Sequence, residues 1–108
     1  MTPQLFNQII ATYRRHGWEL QRVLLRPDTR ATIAENKADF DSADLRDDQI
    51  DALWFARPSN AGREAWELRL VAEQPYALFE AFEPDETENS REEKRRLMEE
   101  RMREYATG

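Results

Sequence analysis

Two clusters of turn-forming residues cut the most apolar part of this chain into three pieces. Pro58-Ser59-Asn60-Ala61-Gly62 is the first and Glu73-Gln74-Pro75 the second. Pro fixes φ, Asn tolerates the left-handed region and Gly enters it freely, so both clusters read as hairpin loops. The pieces they separate are Ala52–Arg57, Arg63–Val71 and Tyr76–Phe82, the last ended by Pro84-Asp85-Glu86. A parallel pair needs a crossover of a dozen or more residues, so two short loops predict three antiparallel strands in a meander. In the second piece Trp66, Leu68 and Leu70 share one parity and Glu67 and Arg69 the other. A period of two therefore predicts one face on a core and one face in water. In the first piece Trp54 opposes Leu53 and Phe55, so both faces of that strand carry large rings. Either both faces are covered, or one offers an apolar patch to a partner.

Upstream, Thr2-Pro3 is a helix start, with Thr as the cap and Pro at the first helical position. Leu5, Phe6, Ile9, Ile10 and Tyr13 form one helical stripe. Arg14, Arg15 and His16 suit a helix C-terminus, and Gly17 suits its left-handed cap. Trp18 to Arg26 then reads as a strand. Trp18, Leu20 and Leu24 share one parity, Val23 and Leu25 the other, with Glu19, Gln21 and Arg22 in water near its start. Asp28 can cap a second helix to about Ala38, with Ile33, Ala34 and Ala38 as a weak apolar edge. From Asp39 to Asp51 the chain is rich in Asp, which favours turns, and reads as an irregular connection with a short edge strand near Leu45. Ser90 and Glu93 form a capping box before a final helix from Arg91 to about Tyr105. Its stripe is narrow: Leu97, Met98, Met102 and Tyr105.

The expected class is α+β, in the order helix, strand, helix, three-stranded meander, helix. An antiparallel sheet of about four strands carries the helices on one face, giving two layers. Residues 1–84 form the domain, and residues 85–108 an acidic linker and a charged helix. A chain of 108 residues is one domain by size and buries roughly 60–70 % of the surface its unfolded form exposes.

Composition narrows function mainly by exclusion. The chain has no cysteine, which removes disulfides and thiolate metal sites and points to a reducing cytoplasm. No stretch approaches the roughly 20 apolar residues of a membrane span. A net charge of −6 repels phosphate backbones, so nucleic acid is not an expected partner. His16 is the single histidine, and it reads as a helix-end residue. Counted from Asp39, an EF-hand would need Gly at the sixth position and Glu at the twelfth, where Asp44 and Ile50 stand. Ser42, Ser59 and Ser90 lack a nucleophile elbow. Glu64, Glu67, Glu73 and Glu80 fit the wet side of a sheet, with Arg57, Arg63 and Arg69 as cross-strand partners. No catalytic residue, cofactor or metal is assigned.

Four segments together carry a resemblance. They are Gly17-Trp-Glu-Leu20, Asp51-Ala-Leu-Trp-Phe-Ala-Arg-Pro-Ser59, Gly62-Arg-Glu-Ala-Trp-Glu-Leu-Arg69 and Pro75-Tyr-Ala-Leu-Phe-Glu80. They resemble a small bacterial family without assigned activity, over about Leu5 to Pro84. The resemblance implies a bacterial cytoplasmic protein and carries no site residue.

The expected function is a non-enzymatic interaction domain, self-associating or binding a protein. Its surface is Trp54, Arg57, Arg63, Trp66 and Arg69, or the final helix. Two guanidiniums flank the Gly-containing Arg57–Arg63 turn, a geometry able to hold a carboxylate or phosphate, but with no Walker A or G-x-G-x-x-G spacing beside it the anion reading is the minor one. Two alternatives belong to other classes. One is a small anionic-ligand binder, or a weak carboxylate- and arginine-based enzyme, between the first helix and the sheet. The other is an acidic inhibitor or immunity-type protein facing a basic target.

Overall fold

The computed structural model describes residues 3–36, 40 and 43–107. The elements are α1 (Pro3–Arg15), β1 (Glu19–Leu25), α2 (Pro27–Asn36), β2 (Asp44–Asp47), β3 (Ala52–Pro58), β4 (Glu64–Leu70), β5 (Tyr76–Phe82) and α3 (Glu88–Thr107). The class is α+β. A short 3-10 turn, Asn60–Gly62, closes the β3–β4 hairpin. Thr2, Ala38, Asp39, Asp41 and Ser42 lie outside the described residues, as do the side chains of Ala34, Glu35 and Asn36.

The sheet has five strands in the order β2-β1-β3-β4-β5, and it is mixed rather than antiparallel. The meander is present as expected, with β3–β4 and β4–β5 antiparallel and in unbroken register. The early strand pairs antiparallel with β3, from Glu19 opposite Ala56 to Leu24 opposite Ala52. The difference is β2, which runs parallel to β1 from Arg22 opposite Asp44 to Leu25 opposite Asp47. The crossover that a parallel pair requires is α2 with its flanking chain. Asp44–Asp47 is exposed throughout, so it never shows the apolar run that marks a buried parallel strand.

The second correction concerns the layers. The helices sit on both faces, not one. On the first face Phe6, Ile9 and Ile10 of α1 and Ile33 of α2 pack with Trp18, Val23, Leu25, Leu53 and Phe55. On the second face Met98 and Met102 of α3 pack with Leu24, Trp54, Trp66, Leu68 and Phe82. The two ring-bearing faces of β3 are thus both covered from within the chain.

A third difference is local. The β1–β3 register shifts between Leu20 and Arg22. One extra residue at Gln21 reverses the parity beyond it, as a bulge does. Leu20 therefore packs with Trp18, Val23 and Leu25, while Leu24 turns to the other face. The same reversal takes Arg22 out of water and toward α3, where its guanidinium pairs with Glu92 at 2.6 Å.

The end of α1 is built as its sequence implies. Gly17 has φ +83°, the N–H of Trp18 donates to Tyr13 O at 3.1 Å and that of Gly17 to Arg14 O at 3.0 Å. This is a Schellman cap, closed by an edge-on contact of Tyr13 with Trp18. At α3 the cap is Thr87 rather than Ser90. The Ser90 N–H donates to Thr87 Oγ1, and the Ser90 hydroxyl donates to Glu86. Thr87 and Ser90 both suit the role, and the earlier of the two lets Glu86 reach Lys94 at 2.8 Å.

The acidic connection acts as a set of clamps. Asp51 is buried and accepts from the Arg26 N–H and the Thr29 hydroxyl, each at 2.8 Å, across the start of α2. Asp48 accepts two bonds from Arg103 of α3. Burial alone would raise the Asp48 pKa, but the Arg103 guanidinium and the Gln49 N–H outweigh it and hold the carboxyl below its ordinary value. Asp44 pairs with Arg46 and Asp47 with Arg30.

Met102 is fully buried between α3 and the second face of the sheet. Met102→Ala is expected to lower stability by about 2–5 kcal/mol in urea unfolding, with secondary structure retained. A loss below about 1 kcal/mol would mean that α3 is not docked as described.

Candidate functional site

Trp54 is fully buried, and its indole N–H donates to Glu99 of α3 at 2.8 Å. It stands edge-on to Trp66. A partner approaching this side of the sheet would meet α3, not Trp54. Trp66 is also buried, with its N–H given to Glu64. Its ring face carries the Arg95 guanidinium, whose carbon lies 4.0 Å from the ring centre. Arg95 is itself buried, pairs with Glu88 and Glu92 at 3.0 Å each, and keeps an unpartnered Nε. The planar guanidinium lets one side chain stack on an aromatic ring and bridge two carboxylates. Arg95 and Glu99 give α3 a packing face that is half charged. Two charged residues in a charged helix look like solvated surface, so the sequence carries no signal of their burial.

The two arginines of the hairpin loop are directed to different partners. Arg57 lies over the Trp18 ring at 4.4 Å and donates to the His16 carbonyl at 2.8 Å, locking the α1 cap to the end of β3. Arg63 donates to Glu83 at 2.9 Å and ties the hairpin to the β5–α3 connection. Arg69 lies on the first face of the sheet and donates to its neighbour's carbonyl, Leu70 O, at 2.6 Å. His16 turns its Nδ1–H back onto Thr12 O.

The arrangement that sequence reasoning missed is on the first face of the sheet, where α1 stops short of the edge. Tyr13 stacks flat on Phe55 with ring centres 4.0 Å apart and donates its hydroxyl to Glu67 of β4. Burial, then the Glu67 carboxylate, drive the phenol far above its ordinary pKa, and Arg69 offsets them only in part. Glu67 and Arg69 are the last side chains on this face that α1 reaches, Glu67 through the Tyr13 hydroxyl and Arg69 across a cleft shared with Leu5, Gln8 and Tyr13. Shallow clefts of about 160 and 230 Å³ flank Tyr13, one lined by Arg69, Leu5 and Gln8, the other by Glu67, His16 and Trp18. Beyond them, Ala77 is exposed and Phe79 is 60 % exposed. The period-two pattern of β5 does assign Phe79 to this face. How far α1 extends over the sheet is a tertiary fact.

A larger cleft of about 730 Å³ opens at the far end of the sheet, between Arg26, Gln49, Leu70, Gln74 and Tyr105. Tyr105 forms its rim and stacks on Tyr76 at 3.8 Å. Among the described residues no three His, Cys, Asp or Glu side chains are grouped to hold a metal ion, and no helix is long and apolar enough to cross a membrane.

Comparison with protein-family models, curated proteins and solved structures yields no match to this chain.

Tyr13 holds its proton more tightly when folded, so above pH 10 the unfolded state binds fewer protons and stability falls as pH rises. Below pH 10 the contribution is fully present. Tyr13→Phe should therefore lose stability less steeply than the parent above pH 10, by at most about 1.4 kcal/mol per pH unit. Urea unfolding across that range measures it, and parallel profiles would refute it.

Proposed function

We propose that this chain is a non-enzymatic interaction domain whose working surface is the open β4–β5 part of the first face. The observation that carries the reading is Phe79, 60 % exposed on an edge strand, beside exposed Ala77 and the Glu67–Arg69 row. An apolar area rimmed by charge is the usual form of a protein-binding patch. The reading keeps Arg69 of the residues expected from sequence and replaces the buried tryptophans with Phe79. Arg57 and Arg63 act in it as supports of the hairpin, since both guanidiniums are engaged within the chain.

A photoreactive benzoyl-phenylalanine at position 79, in cells that natively encode the chain, tests the reading. A discrete protein adduct is expected from position 79 and none from exposed Arg101 on α3. Equal labelling from both positions, or none, would overturn it.

A second reading, binding of a small anion, is favoured by the groove that places Trp18 close to Glu67 and Arg69 close to Tyr13. Each cleft is smaller than the ~300 Å³ of an ordinary ligand site, so a ligand of few atoms is implied. Thermal-shift measurements with small carboxylates and inorganic phosphate should show stabilisation that Arg69→Ala abolishes. No shift across the panel removes this reading.

A further inference from the structure

The two edges of the sheet differ in kind. β2 has four residues, of which Asp44, Arg46 and Asp47 are charged and ion-paired. Short charged edges resist pairing with another chain. β5 has seven residues, one strand neighbour, no proline and no lysine, and its register with β4 is unbroken by any bulge. Its single charge is Glu80. A long, mostly apolar edge strand of this kind leaves a row of backbone groups ready for another strand.

The order of residues along β5 indicates which strand fits. Tyr76-Ala77-Leu78-Phe79-Glu80-Ala81-Phe82 runs aromatic, Ala, x, Phe, x, Ala, aromatic, the same from either end. A two-fold axis through an antiparallel pair sets each position opposite its mirror position in the other copy, so an order alike from both ends places like residues against each other. With Phe79 opposite Phe79, Ala77 falls opposite Ala81, Tyr76 opposite Phe82 and Leu78 opposite Glu80. The small alanines leave room beside the two phenyl rings, and all seven residues are paired. Moving the axis to Glu80 would set two carboxylates face to face, which disfavours that register. In the central register the two Glu80 are only diagonal neighbours, and each already has Lys94 Nζ at 4.0 Å.

We propose that β5 pairs antiparallel with β5 of a second copy about a two-fold axis at Phe79, joining two five-stranded sheets into one. This rests on the interaction reading above and names the partner. Phe79 then meets Phe79 rather than water, and the outward N–H and C=O groups of β5 enter a ladder.

The chain contains no cysteine, so single cysteines report the register directly. Directly opposed residues lie about 4.5–5.5 Å apart at Cα, within disulfide reach. Residue 77 of one copy lies roughly 14 Å from residue 77 of the other, beyond the ~7 Å limit. Sedimentation of the unmodified chain should give twice the 12.8 kDa chain mass. Phe79→Cys should cross-link to itself under mild oxidation. Ala77→Cys and Ala81→Cys should cross-link when mixed and stay largely unlinked apart. Phe79→Lys should give the monomer mass with an unchanged circular dichroism spectrum. A monomer at all concentrations, or Ala77→Cys linking to itself as readily as Phe79→Cys, would overturn the proposal. If the monomer still forms the position-79 adduct with another protein, self-pairing fails and the interaction reading stands. If the chain is monomeric and forms no adduct, both fail.

Discussion

Large side chains on both faces of β3 set the architecture. Leu53 and Phe55 project one way and Trp54 the other, and all three are fully buried. Leaving any of them in water forfeits roughly 1.5–3 kcal/mol each, a large part of the stability a domain of this size has. The chain must therefore supply cover twice. It does so with elements from its two ends: α1 and α2 from before β3, and α3 from after the meander. The central strand is thus sandwiched by segments far apart in sequence, and neither layer alone would satisfy it.

The two covers use different chemistry. α1 meets the sheet through the apolar side chains of Phe6, Ile9 and Ile10 and through the Tyr13–Phe55 stack. α3 meets it through Met98 and Met102 together with buried Arg95 and Glu99. Glu99 accepts from Trp54, while Arg95 pairs with Glu88 and Glu92 and stacks on the Trp66 ring, its Nε left without a partner. Arg22–Glu92 and Asp48–Arg103 then pin the helix along its length to β1 and to the loop after β2. Removing one member of such a set strands its partner in a low-dielectric site, which costs more than the pair itself contributes. The helix is therefore placed by charge geometry as much as by apolar area. The Glu92 carboxyl is held below its ordinary pKa chiefly by the Arg22 bond, with Arg95 adding to it.

The cover runs out toward β5. α1 is 13 residues long, and its last contact across the sheet is Tyr13 with Glu67. The residues beyond, Ala77 and Phe79, are left on an open face at an open edge. The opposite edge carries charges and ion pairs, so the asymmetry between the two edges separates the side that discourages association from the side that permits it.

Local patterns were enough to identify the meander, the helix stripe of α1, its glycine cap and the strand from Trp18, since turn chemistry and period-two alternation act over a few residues. They also required that both faces of β3 be dealt with. What they did not contain was how. Whether Trp54 meets a partner or the chain's own α3, whether Asp44–Asp47 runs parallel or antiparallel, and which arginines of a charged helix are buried all depend on contacts between residues far apart in sequence or on a crossover. The bulge at Gln21 shows the same limit at short range: one unpaired residue reverses the parity of Arg22 and Leu24, and only the register with β3 reveals it. Tertiary structure decided these points because burial and pairing are properties of positions in space, and the same Arg or Asp is a solvated surface residue until another element is brought against it.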